Sequence, residues 1–137
     1  MATVAAQPWA YTLQLPHDPR APGIARATLR AILRTYGLDE LTPTAELLAS
    51  ELVTNAHLYG KGGPYGLRVG ERPDGGLRVG VWDANPQIPP PFVGVPVQAP
   101  QGERGRGLLL VQACADRYGA YPLQQPGKYL WAECALP

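Results

Sequence analysis

The alternation of apolar and polar positions divides the chain into short strand-like stretches around three helical ones. Tyr11 to Leu15 alternates as a short strand, and Pro16-His17-Asp18-Pro19 breaks it. Gly23 precedes a helical stretch from Ile24 to Tyr36, closed by Gly37. On its wheel Ile24, Thr28, Ala31, Ile32 and Thr35 form one face, while Arg26, Arg30 and Arg34 line another. The arginine stripe reads either as a solvated face or as a docking surface. A second helix is expected from Thr42-Pro43, with Thr42 as cap and Pro43 in the first turn, to about Tyr59 before Gly60.

Residues 60–64, rich in Gly and Pro, lead to a strand from Tyr65 to Arg72. Pro73-Asp74-Gly75-Gly76 is a strong hairpin turn, and Leu77 to Trp82 returns as the partner strand. Residues 84–104, with prolines at 86, 89, 90, 91, 96 and 100, read as a long loop; such loops are functional or disordered. Gly105-Arg106-Gly107 opens a third helix through about Arg117, apolar on nearly every side and so expected to be buried. Tyr118 to Leu123 and Tyr129 to Leu136 form a last hairpin around Gln125-Pro126-Gly127. The order β–α–α–β–β–α–β–β predicts an α+β fold, with helices layered on one mixed sheet. No repeat or internal boundary is visible, so residues 1–137 read as a single domain.

Composition narrows the function classes. Hydrophobic residues are 45% and charged residues 17%, enough for one globular core. A net charge of +1 gives no electrostatic basis for a nucleic acid or an anionic membrane as main partner. The first ten residues lack the basic and apolar regions of a signal peptide, and no apolar run is long enough to span a bilayer, so a cytoplasmic location is expected. Cys114 and Cys134 form no CxxC pair and read as buried free thiols. Ser50 is the only serine and sits mid-helix, which excludes a serine-hydrolase elbow. His17 and His57 lack ligands at zinc-site spacing, and Gly60-Lys61-Gly62-Gly63 lacks the spacing of a P-loop.

The second helix carries an anomaly. Leu47, Leu48, Leu52, Leu58 and Tyr59 share one sector, and in its middle stand Glu51 and Asn55, four apart and hence on one face. A carboxylate buried there without compensation costs several kcal/mol on the order-of-magnitude scale for buried ions. Two readings stay open: a polar site, or a helix rotated to leave both residues at the solvent edge. Asp83 ends the apolar strand Val79-Gly80-Val81-Trp82, and beyond the proline-rich loop the Gly105/Gly107 pair starts a helix. Backbone N–H groups at a glycine-rich helix start can approach phosphate oxygens.

In this order the elements resemble the GHKL, or histidine-kinase-like, ATPase family. Glu51-Leu52-Val53-Thr54-Asn55-Ala56 resembles its N-box, and Asp83-Ala84-Asn85-Pro86 the first glycine box in its short anti-sigma form. Gly105-Arg106-Gly107-Leu108 resembles the second glycine box, and Lys128-Tyr129-Leu130-Trp131 the closing strand of actinobacterial members. The resemblance implies a Bergerat-type two-layer sandwich, a mixed sheet covered on one face by three helices. It also implies that Asn55 holds Mg²⁺ carried by ATP, and that Glu51 is the general base. Asp83 would accept from the adenine 6-amino group, with Asn85 beside it in the same box. Gly105, Gly107 and Leu108 would lie along the phosphates under a lid at about 84–104. Arg104 and Arg106 are left either as clamps of the terminal phosphate or as solvated side chains. Asn85-Pro86 departs from the DxGxG of larger members; Asn tolerates left-handed backbone, so the turn can survive.

The implied activity is that of an anti-sigma-factor serine/threonine kinase, passing the ATP γ-phosphate to a STAS-type anti-anti-sigma partner and so controlling a sigma factor. The alternative is a nucleotide-gated protein-binding module without phosphotransfer. Fold relatives often dimerise through the sheet edge, and the oligomeric state stays open.

Overall fold

The computed structural model describes residues 8–90, 92 and 103–136, and of residues 103–107 only the helical backbone. The elements are β1 (Ala10–Leu15), α1 (Ala21–Thr35), a 3-10 turn (Asp39–Leu41), α2 (Thr42–Tyr59), β2 (Tyr65–Glu71), β3 (Leu77–Asp83), α3 (Glu103–Cys114), β4 (Arg117–Pro122) and β5 (Lys128–Cys134). Five strands form one sheet in the order β1-β2-β3-β5-β4. This is the expected α+β class, but every pairing is antiparallel rather than mixed. The physical reason lies in the connections. The chain leaving β3 through α3 passes over to the edge position β4 and then returns by a hairpin, so strands that run the same way are never neighbours.

Alternation sorts the sheet into two faces. Leu67 and Val69 of β2, Leu77, Val79 and Val81 of β3, and Leu130, Ala132 and Cys134 of β5 point to the helices and are buried. The opposite face carries Arg68, Arg78, Trp82, Tyr129, Trp131 and Glu133. The central helix is α2, which packs on α1, α3 and strands β2, β3 and β5.

The face that α1 buries differs from the one the wheel suggested. Ala21, Ala25, Leu29 and Leu33 enter the core, while Ile24 is 52% exposed. The Ile24 face carries Thr28 and Thr35, whose hydroxyls donate to the carbonyls of Ile24 and Ala31 on the outer side of the helix. Two leucines bury more apolar area than two threonines, so the leucine row wins. The helix also starts earlier than Ile24, because Pro22 is tolerated in its first turn. Arg30 forms an ion pair with Glu46 of α2 at 2.7 Å, which ties one arginine of the stripe to its neighbour. At α2, Leu41 occupies the cap position in place of Thr42, and the unforeseen 3-10 turn leads directly into the helix.

The third helix is less buried than its composition implied. Leu108 and Val111 are buried, but Leu110 is 42% exposed and Cys114 is exposed as a free thiol. Among the described residues α2 is the helix packed on α3, and Leu110 lies outside that contact face. Cys134 is the buried free thiol, and burial pushes its pKa up to about 11. The helix begins at Glu103, before the glycine pair, and ends at Cys114. It stops there because Asp116 N–H donates to the Glu133 carbonyl at 2.9 Å and draws the chain into β4. Among the described residues no helix is long and apolar enough to cross a membrane.

Candidate functional site

The C-terminal half of α2 and the end of β3 meet at close range. Helix α2 buries Leu48, Ala49, Leu52, Val53 and Ala56 as its core row, and Leu58 is 59% exposed. The apolar sector is therefore rotated from the one drawn through Leu47 and Leu58. Asn55 lies inside its edge at 6% exposure, and Glu51 is half-buried. Glu51, Asn55 and Tyr59 follow one another at four-residue spacing on a single face.

Gly60 allows this approach. A Cβ built there would stand 2.4 Å from the Ala56 carbonyl oxygen and 3.1 Å from Asp83 Cβ, so any larger residue would drive helix and strand apart. Asn85 closes the junction. Its amide Nδ2 donates to the Tyr59 carbonyl at 2.8 Å, its N–H donates to Asp83 Oδ1 at 2.8 Å, and its Oδ1 accepts from Gln87 N–H at 3.0 Å. Asn85 is not among the residues with positive φ. Its value at this position is three hydrogen bonds rather than tolerance of left-handed backbone.

Asp83 is 4% exposed. The register pairs it directly with Lys128, whose ammonium donates to Asp83 Oδ1 at 2.9 Å and to the Asn85 carbonyl at 3.0 Å. Lys128 is 1% exposed. This buried cation was not read from the sequence as a site residue, although Lys128 opens the Lys128-Tyr129-Leu130-Trp131 stretch and is one of two lysines in the chain. A cleft of about 470 Å³ opens beside Asp83, lined by Pro64, Trp82, Ala84 and the turn from Leu123 to Pro126.

Burial raises the Glu51 carboxyl above the ordinary value of 4.5. Among the described residues it makes no ion pair, and the Asn55 amide has no hydrogen-bond partner. Its free oxygen, beside a carboxylate one turn away, is the oxygen-donor chemistry Mg²⁺ takes. The residues present thus fit a nucleotide-borne magnesium ion.

Helix α3 packs on α2. Gly105 and Gly107 fall within the first two turns of α3 rather than ahead of it. The side chains of Arg104 and Arg106, and most of the expected lid from 84 to 104, lie outside the described residues. Leu108 is 2% exposed, so its side chain is a packing group. His57 donates to or accepts from Tyr65 Oη at 2.9 Å and stacks on His17 at 4.3 Å, a packing role apart from the site.

A family model for the histidine kinase-like ATPase domain matches residues 15–133. The chain belongs to that family. An alignment of 63 residues, covering 44% of this chain and 55% of the relative, is 43% identical to an uncharacterized protein of Streptomyces coelicolor. The match therefore spans about half of the relative. A chain of the SiaB–SiaC complex from Pseudomonas aeruginosa superposes with a TM-score of 0.68, covering 90% of this chain and 88% of that one at 13% identity. The shared property at that identity is the fold.

Proposed function

We propose that this chain is one ATP- and Mg²⁺-binding domain over residues 1–137 that acts as a serine/threonine protein kinase on a protein partner, of the STAS anti-anti-sigma type. The reading rests on the pair Glu51 and Asn55: a half-buried carboxyl with a raised pKa, one helical turn before an asparagine whose side chain makes no hydrogen bond among the described residues. A carboxyl tuned upward is a better proton acceptor near neutral pH than an ordinary glutamate. Asn55 would hold the metal through its amide oxygen; the ion would supply charge neutralisation at the β- and γ-phosphates. Asp83 accepts from the adenine 6-amino group, and Asn85 keeps that carboxylate in place from the α2 side. The backbone of Gly105 and Gly107 serves the phosphates, together with Arg104 or Arg106. Glu51 then takes the proton of an attacking Ser or Thr hydroxyl as the γ-phosphate passes to its oxygen.

A protein partner is supported by the fold relative, which was solved as a two-protein complex. The reading also implies a cytoplasmic regulator of a sigma factor.

Two measurements test this. Titration with ATP in the presence of Mg²⁺ should show saturable binding, and absence of binding at millimolar nucleotide ends the reading. Glu51→Ala should lower phosphotransfer to the cognate partner by about 10²- to 10⁴-fold, the usual range for a general base, with ATP affinity within a few fold. Unchanged transfer in that variant removes Glu51 from the base role and leaves the nucleotide-gated binding module as the better account.

A further inference from the structure

Lys128 is the one cation buried throughout among the described residues. An ammonium group carries three protons. Asp83 Oδ1 takes one and the Asn85 carbonyl takes a second; no acceptor for the third is present among the described residues. On the carboxylate, Oδ1 accepts from both Lys128 and Asn85 N–H, while Oδ2 has no donor among them. One strand pair therefore ends in an unspent donor beside an unspent acceptor. Their spacing is rigid. A Cβ on Gly127, which has φ 154°, would stand 2.5 Å from the Asp83 carbonyl oxygen, so the residue before Lys128 is pressed against the strand carrying Asp83.

An enclosed ion pair adds little stability over an apolar pair of the same size. The pair is better explained as a fork for a ligand edge that offers one donor and one acceptor side by side. We propose that Lys128 is a specificity-determining residue of the nucleotide site, its ammonium donating to ring nitrogen N1 of the adenine whose 6-amino group Asp83 accepts. This rests on the ATP-binding reading above. The 6-amino group and N1 of adenine present a donor and then an acceptor along one edge. Guanine presents the reverse, an acceptor at O6 and a donor at N1. The fixed register of Asp83 against Lys128 keeps the two halves of the fork from exchanging places.

The test compares ATP with 1-deaza-ATP, which keeps the 6-amino group but has C–H in place of N1. Wild-type protein should bind ATP about ten- to hundredfold more tightly, the effect of one hydrogen bond from a charged donor. Lys128→Met should bind the two nucleotides alike. If wild-type protein binds both equally, or Lys128→Met keeps the wild-type ratio, Lys128 is structural and the inference fails while ATP binding stands. If wild-type protein binds neither at millimolar concentration, the ATP-binding reading fails and this inference with it. Should Lys128→Met not fold, judged by its melting transition, the wild-type comparison decides alone.

Discussion

The strand pair β3–β5 carries a carboxylate–cation pair near each end, and the two are built differently. Toward the start of β3, Arg78 stands opposite Glu133 on the open face of the sheet. Glu133 is 3% exposed, yet Arg78, Arg72 and Arg117 all reach it, at 2.8, 3.6 and 3.5 Å. Those arginines are partly in water, and Arg78 also lies 4.0 Å over the Trp131 ring. At the far end Asp83 stands opposite Lys128 on the helix-covered face, with both side chains 2% exposed. One carboxylate has cations to spare, and the other has a single enclosed partner with hydrogen-bonding capacity left over. The Glu133 end is a cluster of partly solvated arginines in which only Oε2 is hydrogen-bonded, while the buried Oε1 has Arg72 and Arg117 near it but no hydrogen bond. At the Asp83 end we assign the spare donor and acceptor to a ligand edge.

That difference can be broken or sharpened by measurement. Lys128→Met should cost about 3–5 kcal/mol in denaturant unfolding, because it strands a buried carboxylate. Arg78→Met should cost about 1 kcal/mol or less, since Arg72 and Arg117 remain beside Glu133 and the pair is partly solvated. Equal losses would erase the distinction. Asp83→Asn should weaken ATP binding by about 1.5–3 kcal/mol, whereas Glu133→Gln should leave it within twofold.

A third carboxyl, Glu51, tests the site by pH. Its raised pKa means that the folded chain holds this proton to higher pH than the unfolded chain does. Its contribution to stability is therefore complete below the ordinary glutamate value and is lost as pH rises through the folded one. Glu51→Gln should gain stability relative to wild type across that window. The acid limb of phosphotransfer should likewise lie above pH 4.5. The smallest expected effect concerns thiols. Cys114 should react with a thiol reagent in the native protein, while Cys134, next to Glu133, should react only as that end of the sheet opens.

Much of the framework was legible from local pattern. The turn at Pro73-Asp74-Gly75-Gly76 set a hairpin, and the strands around it appear within a residue or two of where alternation put them. The spacing of Glu51 and Asn55 needed only helical periodicity to place both on one face. What misled were choices between faces. A wheel cannot weigh Ile24 against Leu29 without knowing which side the sheet covers, and an apolar run such as Leu108 to Ala113 looks buried although Leu110 is exposed.

The sequence by itself determined the elements, their order and the acid–amide pair, because each is encoded within a few turns or a single hairpin. Only the tertiary structure decided that Lys128 holds Asp83 from 45 residues away, that Asn85 clips the end of α2 to the end of β3, and that Cys114 is exposed. Those outcomes depend on how two strand ends come into register and how closely Gly60 lets a helix approach them. Such distances arise from packing between segments far apart in the chain, and no local pattern carries them.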